Sequence, residues 1–343
     1  MARGPTIIDV ARLAGVSKAT AARVLNGQEE LVKKSTQELV NVAAEQLGYV
    51  RNAIAGSLRT DRTYVVALSI PDITNPFWPE VARGVQDTTE AKGYTTVIVN
   101  TDWKYDREQS MMNMVRRNRF DGLIINVVDT PIIELQKLHI PIVLLGGSEY
   151  YPNINSVGSD AASGAETALH YLFELGHRRI ALISGLSRRR YSVQYEAYFE
   201  FHARYQLSMD EDLLIEGDFN RRAGYFAMEK LLSLKNPPTA VFAANDSIAI
   251  GALKAAKMMS WRVPEDISII GMDDIYASTV TSPELTTIAK PKYEIGVNAA
   301  RILLNCIENE SHTATEKLKM ACDLMIRGST APPRVKMPKL NKK

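Results

Sequence analysis

Cysteine is almost missing. Cys306 and Cys322 stand far apart, with no Cys-x-x-Cys pair to hold zinc or run redox chemistry, so two buried free thiols in a reducing compartment are expected. No apolar run approaches the roughly 18 residues that span a bilayer, and the N-terminus lacks the apolar segment of a secretory signal. A cytoplasmic protein with no membrane partner is expected. Catalytic signatures are lacking too. There is no Gly-x-Gly-x-x-Gly, no Walker loop and no nucleophile elbow, and the five histidines (His139, His170, His177, His202, His312) are scattered without metal-ligand spacing. These absences predict no enzyme, no metal and no cofactor. Net charge is small, +2 over 343 residues, so there is no blanket polycation for nucleic acid. Its distribution says more: residues 1–62 carry nine cations against six anions, a modest excess that suits a sited contact surface.

Within that segment, residues 6–27 read as two short helices joined by a turn at Ala14-Gly15-Val16, the pattern that lays a helix into a DNA major groove. Thr6 can cap the first helix with Asp9 three residues on, and Val10, Leu13 and Ala14 supply its buried stripe. Gly15 tolerates a left-handed turn, and Ser17 can cap the second helix. There Ala21, Val24 and Leu25 would face inward, with Lys18, Ala19, Ala22 and Arg23 outward, before Asn26-Gly27 closes the helix. A third amphipathic helix over 36–46 uses Leu39, Val40, Ala43, Ala44 and Leu47, with Gly48 at its C-cap. Helix periodicity alone also fits a three-helix bundle that never touches DNA.

At 343 residues the chain exceeds the roughly 250 to 300 residues of a single core, so a small domain plus a large one is expected. From residue 64 on, apolar runs at 64–70, 95–99, 122–128, 140–145, 179–184, 240–243 and 267–270 alternate with helical patterns near 79–92, 106–117, 161–175, 221–234, 247–258 and 293–308. Most runs are continuous and rich in Val and Ile, as buried parallel strands are. The alternation predicts an α/β fold of doubly wound parallel sheets behind the all-α N-terminal domain. Polar or aromatic residues fall just past several strand ends: Asn75, Phe77 and Trp78, then Asn126, Phe219, Asn245, Asp246, Asp273 and Asp274, while Asp160 precedes a helix. Ligands bind at the carboxyl ends of strands in such sheets. Each Asn or Asp alone reads more simply as a cap or turn residue, Asp246 among them.

The order and spacing of several motifs resemble the lactose/galactose repressor family of bacterial transcription regulators. They are Asp9-Val-Ala, Ala14-Gly-Val-Ser, Arg23-Val-Leu-Asn-Gly, Leu47-Gly-Tyr, Ser57-Leu-Arg-Thr, Asn75-Pro-Phe-Trp, Leu175-Gly-His-Arg-Arg-Ile, Ala244-Asn-Asp and Gly271-Met-Asp-Asp. The resemblance covers nearly the full chain. It implies a helix-turn-helix domain at 1–51, a hinge helix and linker at 52–62, and a two-lobed periplasmic-binding-protein-like domain for effector binding and dimerisation at 63–330. Lobe one would take 63–158 plus 289–320, and lobe two 159–288 plus 321–330. Residues 331–343, rich in Pro and Lys, read as a basic disordered tail. The implied DNA contacts are Thr6, Ser17, Lys18, Ala19, Thr20, Ala22, Arg23 and Asn26 in the head, and Asn52, Ala55, Leu58 and Arg59 in the hinge, where Leu58 would wedge into the minor groove. A two-fold protein matches two-fold DNA, so a homodimer on a pseudo-palindromic double-stranded operator is expected. Two positions depart from the family pattern: Lys33 stands where Ser usually caps the third helix, and Arg51 where Pro usually precedes the hinge.

The implied effector set is Asn75, Phe77, Trp78, Asn126, Asp160, Gln194, Phe219, Asn245 and Asp273, with Arg190 and Lys292 as nearby cations. Carboxylates and amides bond hydroxyls while aromatic faces pack on ring surfaces, which favours a neutral sugar. Gln194, Ala197 and Tyr198 stand where the family commonly has Arg, then Gly three residues on, before an aromatic, so the usual guanidinium is gone. Lys292 with Arg190 leaves a phosphorylated or acidic sugar as the alternative. A solute-binding protein of the same two-lobed fold is a rival reading, against which residues 1–60 and the missing signal segment weigh. The resulting expectation is a ligand-responsive transcription regulator, a repressor of carbohydrate-utilisation genes.

Overall fold

The computed structural model describes residues 4–27, 29–49, 62–147, 150–185, 193–309 and 315–334. Two compact units are present, one within Met1–Thr63 and one within Tyr64–Lys343. The smaller packs α1 (Ile7–Leu13), α2 (Lys18–Leu25) and α3 (Lys34–Gln46) around Val10, Ala11, Ala21, Val24, Val40 and Ala43. Leu13 and Leu39, expected inside, are instead 51% and 57% exposed. Both lie off the buried rows, which run through Ile7, Val10, Ala11 and Ala14 on α1 and through Val40, Ala43, Ala44 and Leu47 on α3. Ala11 holds the inward place assigned to Leu13.

The larger unit contains two sheets. Lobe one uses β1 (Val65–Ile70), β2 (Thr95–Asn100), β3 (Gly122–Ile125), β4 (Ile142–Leu145), β5 (Asn155–Ser159) and β11 (Lys317–Met320), in the order β11-β5-β4-β3-β1-β2, every pair parallel. Lobe two uses β6 (Ile180–Ser184), β7 (Leu214–Glu216), β8 (Ala240–Ala243), β9 (Ser268–Asp273), β10 (Thr286–Ala289) and β12 (Asp323–Met325), in the order β12-β10-β9-β8-β6-β7. Only β12 runs antiparallel to its neighbour. The chain therefore passes between lobes three times, after Ser159, after Ala289 and after Met320.

Strand alternation feeds both faces of each sheet. In lobe one Val66, Leu68 and Ile70 point toward α4 (Phe77–Glu90) and α11 (Lys292–Glu308), while Ala67 joins the core beneath α5 (Tyr105–Arg117) and α6 (Ile132–Gln136). In lobe two Ala181 and Ile183 pack with α9 (Arg221–Leu232) and α10 (Asp246–Met258), and Ile180 and Leu182 with α7 (Ala161–Glu174) and α8 (Val193–Arg204). Because both faces are covered, the strands read as continuous apolar runs.

The apolar pattern extends β3 to residue 128, but the strand stops at Ile125. Wholly buried Glu108 is the reason: its carboxylate accepts the amides of Val128 and Asp129 at 2.8 and 3.2 Å and the Thr130 hydroxyl at 2.5 Å, so those groups leave the ladder. Among the described residues no helix is long and apolar enough to cross a membrane. Cys306 and Cys322 are free and half-buried, more accessible than expected.

Candidate functional site

In the small unit, turn chemistry fixes α2. The Thr6 amide and hydroxyl both donate to the Asp9 carboxylate, at 2.9 and 2.6 Å, which starts α1. Gly15 takes φ +67 in the turn that follows. Ser17 Oγ accepts the Thr20 amide at 3.0 Å and lies 2.9 Å from the Thr20 hydroxyl, starting α2. The same polar groups on Thr6, Ser17 and Thr20 that the sequence assigns to DNA thus serve the local folding of the head. α2 leaves Lys18, Ala19 and Arg23 exposed and Ala22 half-buried, and Asn26 forms its C-cap. Two cations with no acid, spaced by alanines, suit guanine edges and thymine methyl groups. Asn52, Ala55, Leu58, Arg59, Arg51 and Arg190 lie outside the described residues, as do residues 335–343.

In the large unit, a cavity of about 230 Å³ opens at the carboxyl ends of the lobe-one strands. Phe77, Trp78, Asn126 and Asp160 line it together. Asn126 donates through Nδ2 to the Leu145 carbonyl at 2.8 Å, while its Oδ1 is buried with no hydrogen-bond partner. A buried unpaired acceptor is costly, about 1–3 kcal/mol, unless something donates to it. Phe77 and Trp78 meet edge to face at 4.9 Å between centroids, and Lys290 Nζ sits 5.4 Å from the centre of the Phe77 ring. Lys290 is one of several lining residues absent from the sequence-derived set, with Val193 and Lys319 among the others. Its strand, β10, was not recognised, so nothing marked Lys290 as a strand-end residue.

The remaining assigned residues support the cleft without lining this cavity. Asn75 Oδ1 accepts the Phe77 amide at 3.2 Å and shapes the entry to α4. Asn245 caps α10 through the Ile248 amide at 2.8 Å and donates from Nδ2 to the Phe219 carbonyl at 3.2 Å. Asp273, buried at φ +119, pairs with Lys290 at 2.9 Å. Burial pushes the Asp273 carboxyl up, and Lys290 pulls it back. Lys292 donates to the Asp273 and Asp274 carbonyls at 3.0 and 2.9 Å and lies 3.6 Å from Glu80, which ties α11 of lobe one to the end of β9 in lobe two. Gln194 is buried beside Met272, while its neighbour Val193 reaches the cavity.

Asp246, expected to be a cap, is not one; Asn245 has that role. Instead Asp246 is wholly buried, accepting the Ile275 amide at 2.9 Å and the Thr287 hydroxyl at 2.5 Å. Burial, reinforced by Asp273, pushes its carboxyl up to about 8.

The architecture defines a class: a helix-turn-helix head with a two-lobed ligand-binding domain. A model of bacterial regulatory proteins of the lacI family matches residues 6–52, and one of periplasmic binding protein-like domains matches residues 169–330. Catabolite control protein A of Priestia megaterium is 36% identical over 311 residues, covering 89% of this chain and 93% of that one. Among solved structures, a lac repressor dimer bound to operator and the anti-inducer ONPF matches with TM-score 0.85 at 25% identity, over 96% of this chain and 100% of that one. The transcriptional regulator CelR in complex with cellobiose matches with TM-score 0.71 at 29% identity, over 95% and 99%. The chain belongs to the LacI family of bacterial regulatory proteins. It is a DNA-binding transcription repressor with an effector-binding domain and not an enzyme.

Proposed function

We propose that this repressor is a cytoplasmic homodimer that reads a pseudo-palindromic operator through α2 and is controlled by a neutral sugar held in the cavity lined by Phe77, Trp78 and Asn126 of lobe one and Val193 of lobe two. The observation that carries the ligand class is the cavity lining. Asn126 Oδ1 waits for a donor, and the Phe77–Trp78 pair supplies an aromatic surface for the apolar face of a ring. Lys290 is already paired with Asp273, and the lining holds one further cation, Lys319, and one anion, Asp160, so it carries no excess of positive charge for an anion. A hydroxyl donates to an amide oxygen, which suits a polyol. The volume falls just below the roughly 300–1,000 Å³ of common ligand sites, which favours a small ligand. The CelR–cellobiose complex supports a sugar, and the operator-bound lac repressor dimer supports the homodimer and its DNA.

Calorimetry of the full-length protein against neutral and phosphorylated mono- and disaccharides, cellobiose and ribose included, tests the reading. A neutral sugar should bind, with affinity at least about tenfold weaker in Asn126→Ala, the cost of one lost hydrogen bond of roughly 1.4 kcal/mol. Binding of phosphorylated sugars alone would overturn it.

A further inference from the structure

We infer that Trp103 is a positioning residue that latches the two lobes together by covering the ring of Phe219. Trp103 lies in lobe one, between β2 and α5, and Phe219 in lobe two, between β7 and α9. Their rings stack at 5.1 Å between centroids and 29° between planes, so the contact joins the lobes at a point separate from the three chain crossings. Both sides are built for it.

On the lobe-one side, Asp102 and Trp103 are consecutive non-glycine residues in the left-handed region, at φ +50 and +56. Bulky residues rarely adopt that conformation, and it persists only where surrounding contacts over-determine it. Here they do. Asp102 is held by the Asn100 amide and by an ion pair with Arg107, Asn100 Oδ1 accepts the Ile73 amide at 2.7 Å, and the Lys104 amide closes the turn on the Thr101 carbonyl at 3.0 Å. The result of that strain is to aim an indole across the cleft.

On the lobe-two side, the Phe219 ring lies against Gly185, where a Cβ would come within 2.0–2.5 Å of three ring carbons. The Phe219 carbonyl is fixed by Asn245, and Asn220 next to it caps α9 through the Ala223 amide at 2.9 Å. Phe219 thus packs against Gly185 of its own lobe and stacks on Trp103 of the other, so parting the lobes uncovers its ring. The stack therefore resists separation of the two lobes at this point of the cleft.

The consequence for DNA binding rests on the regulator reading above; the consequence for lobe docking does not. Trp103→Ala, Trp103→Phe, Phe219→Ala and the Trp103→Ala/Phe219→Ala double variant of the full-length protein separate the two. Residues in contact give non-additive effects on stability. In urea the double variant should unfold at the midpoint of the weaker single variant, and Trp103→Phe should recover most of the loss. With a duplex recovered by binding-site selection, ligand-free Trp103→Ala and Phe219→Ala should shift operator affinity severalfold in one direction, while Trp103→Phe stays near the parent. Additive urea midpoints would overturn the latch. Coupled midpoints with unchanged operator affinity would also overturn it, reducing the pair to ordinary packing. A parent protein that binds no duplex would remove the regulator reading and leave the latch to the urea cycle alone.

Discussion

Asp246 holds a carboxyl in a place where ionisation is penalised. Its folded pKa, about 8, lies far above the roughly 3.9 of an unfolded aspartate, so between those values the folded chain keeps a proton that the unfolded chain has released. The associated stability is fully present below pH 4 and is lost as pH rises toward 8. Asp246→Asn keeps an acceptor for Ile275 and a polar partner for Thr287 but cannot ionise. Urea unfolding at pH 5 and pH 8 should find the variant gaining on the parent as pH rises, by at most about 1.4 kcal/mol per pH unit. His177, whose pKa burial lowers, contributes the opposite slope near neutrality, but it is common to both proteins and cancels in the difference. A flat difference would mean that Asp246 stays charged. On the DNA side, Arg23 is exposed in the last turn of α2. Arg23→Ala should lose about 1–3 kcal/mol on the selected operator and relax base preference there, read by repeating the site selection. Equal loss on random duplex would assign Arg23 to phosphate instead.

At the scale of elements, α3 begins without a side-chain cap: Lys33 occupies the N-cap and makes no such bond. Lys33→Ser should stabilise the head by about 1 kcal/mol, seen as a higher thermal midpoint of a head-only transition or of residues 34–46 in hydrogen exchange. Long periodic segments were legible, since six helices and seven strands of the large unit leave clear apolar patterns. The others were not, for physical reasons. β5 contains Asn155, Ser156, Gly158 and Ser159, β11 alternates Lys with Leu and Met, and α8 buries Gln194 and His202 among its aromatics, which blurs any stripe. Site residues were harder. Asn75 and Asn245 lie at strand ends as ligand groups would, yet their side chains serve helix entries, and sequence position cannot separate those uses. Trp103 carried no signal, because its partner Phe219 is distant in sequence and belongs to the other lobe.

At the scale of the whole molecule, the α/β alternation announced parallel sheets, while their division into two lobes followed from the family resemblance. Periodicity cannot say which sheet a strand joins. The three crossings also impose an order on synthesis. The head has its three helices by Gln46, but the first sheet lacks its outer strand until Met320 is made and the second until Met325. A growing chain thus owns a folded reader while both halves of its sensor are still open at one edge. A stop codon anywhere between 160 and 316 would leave neither lobe whole, so a nonsense change even late in the gene removes the sensor while sparing the reader, and only a stop in the few residues after Met320 completes one sheet without the other.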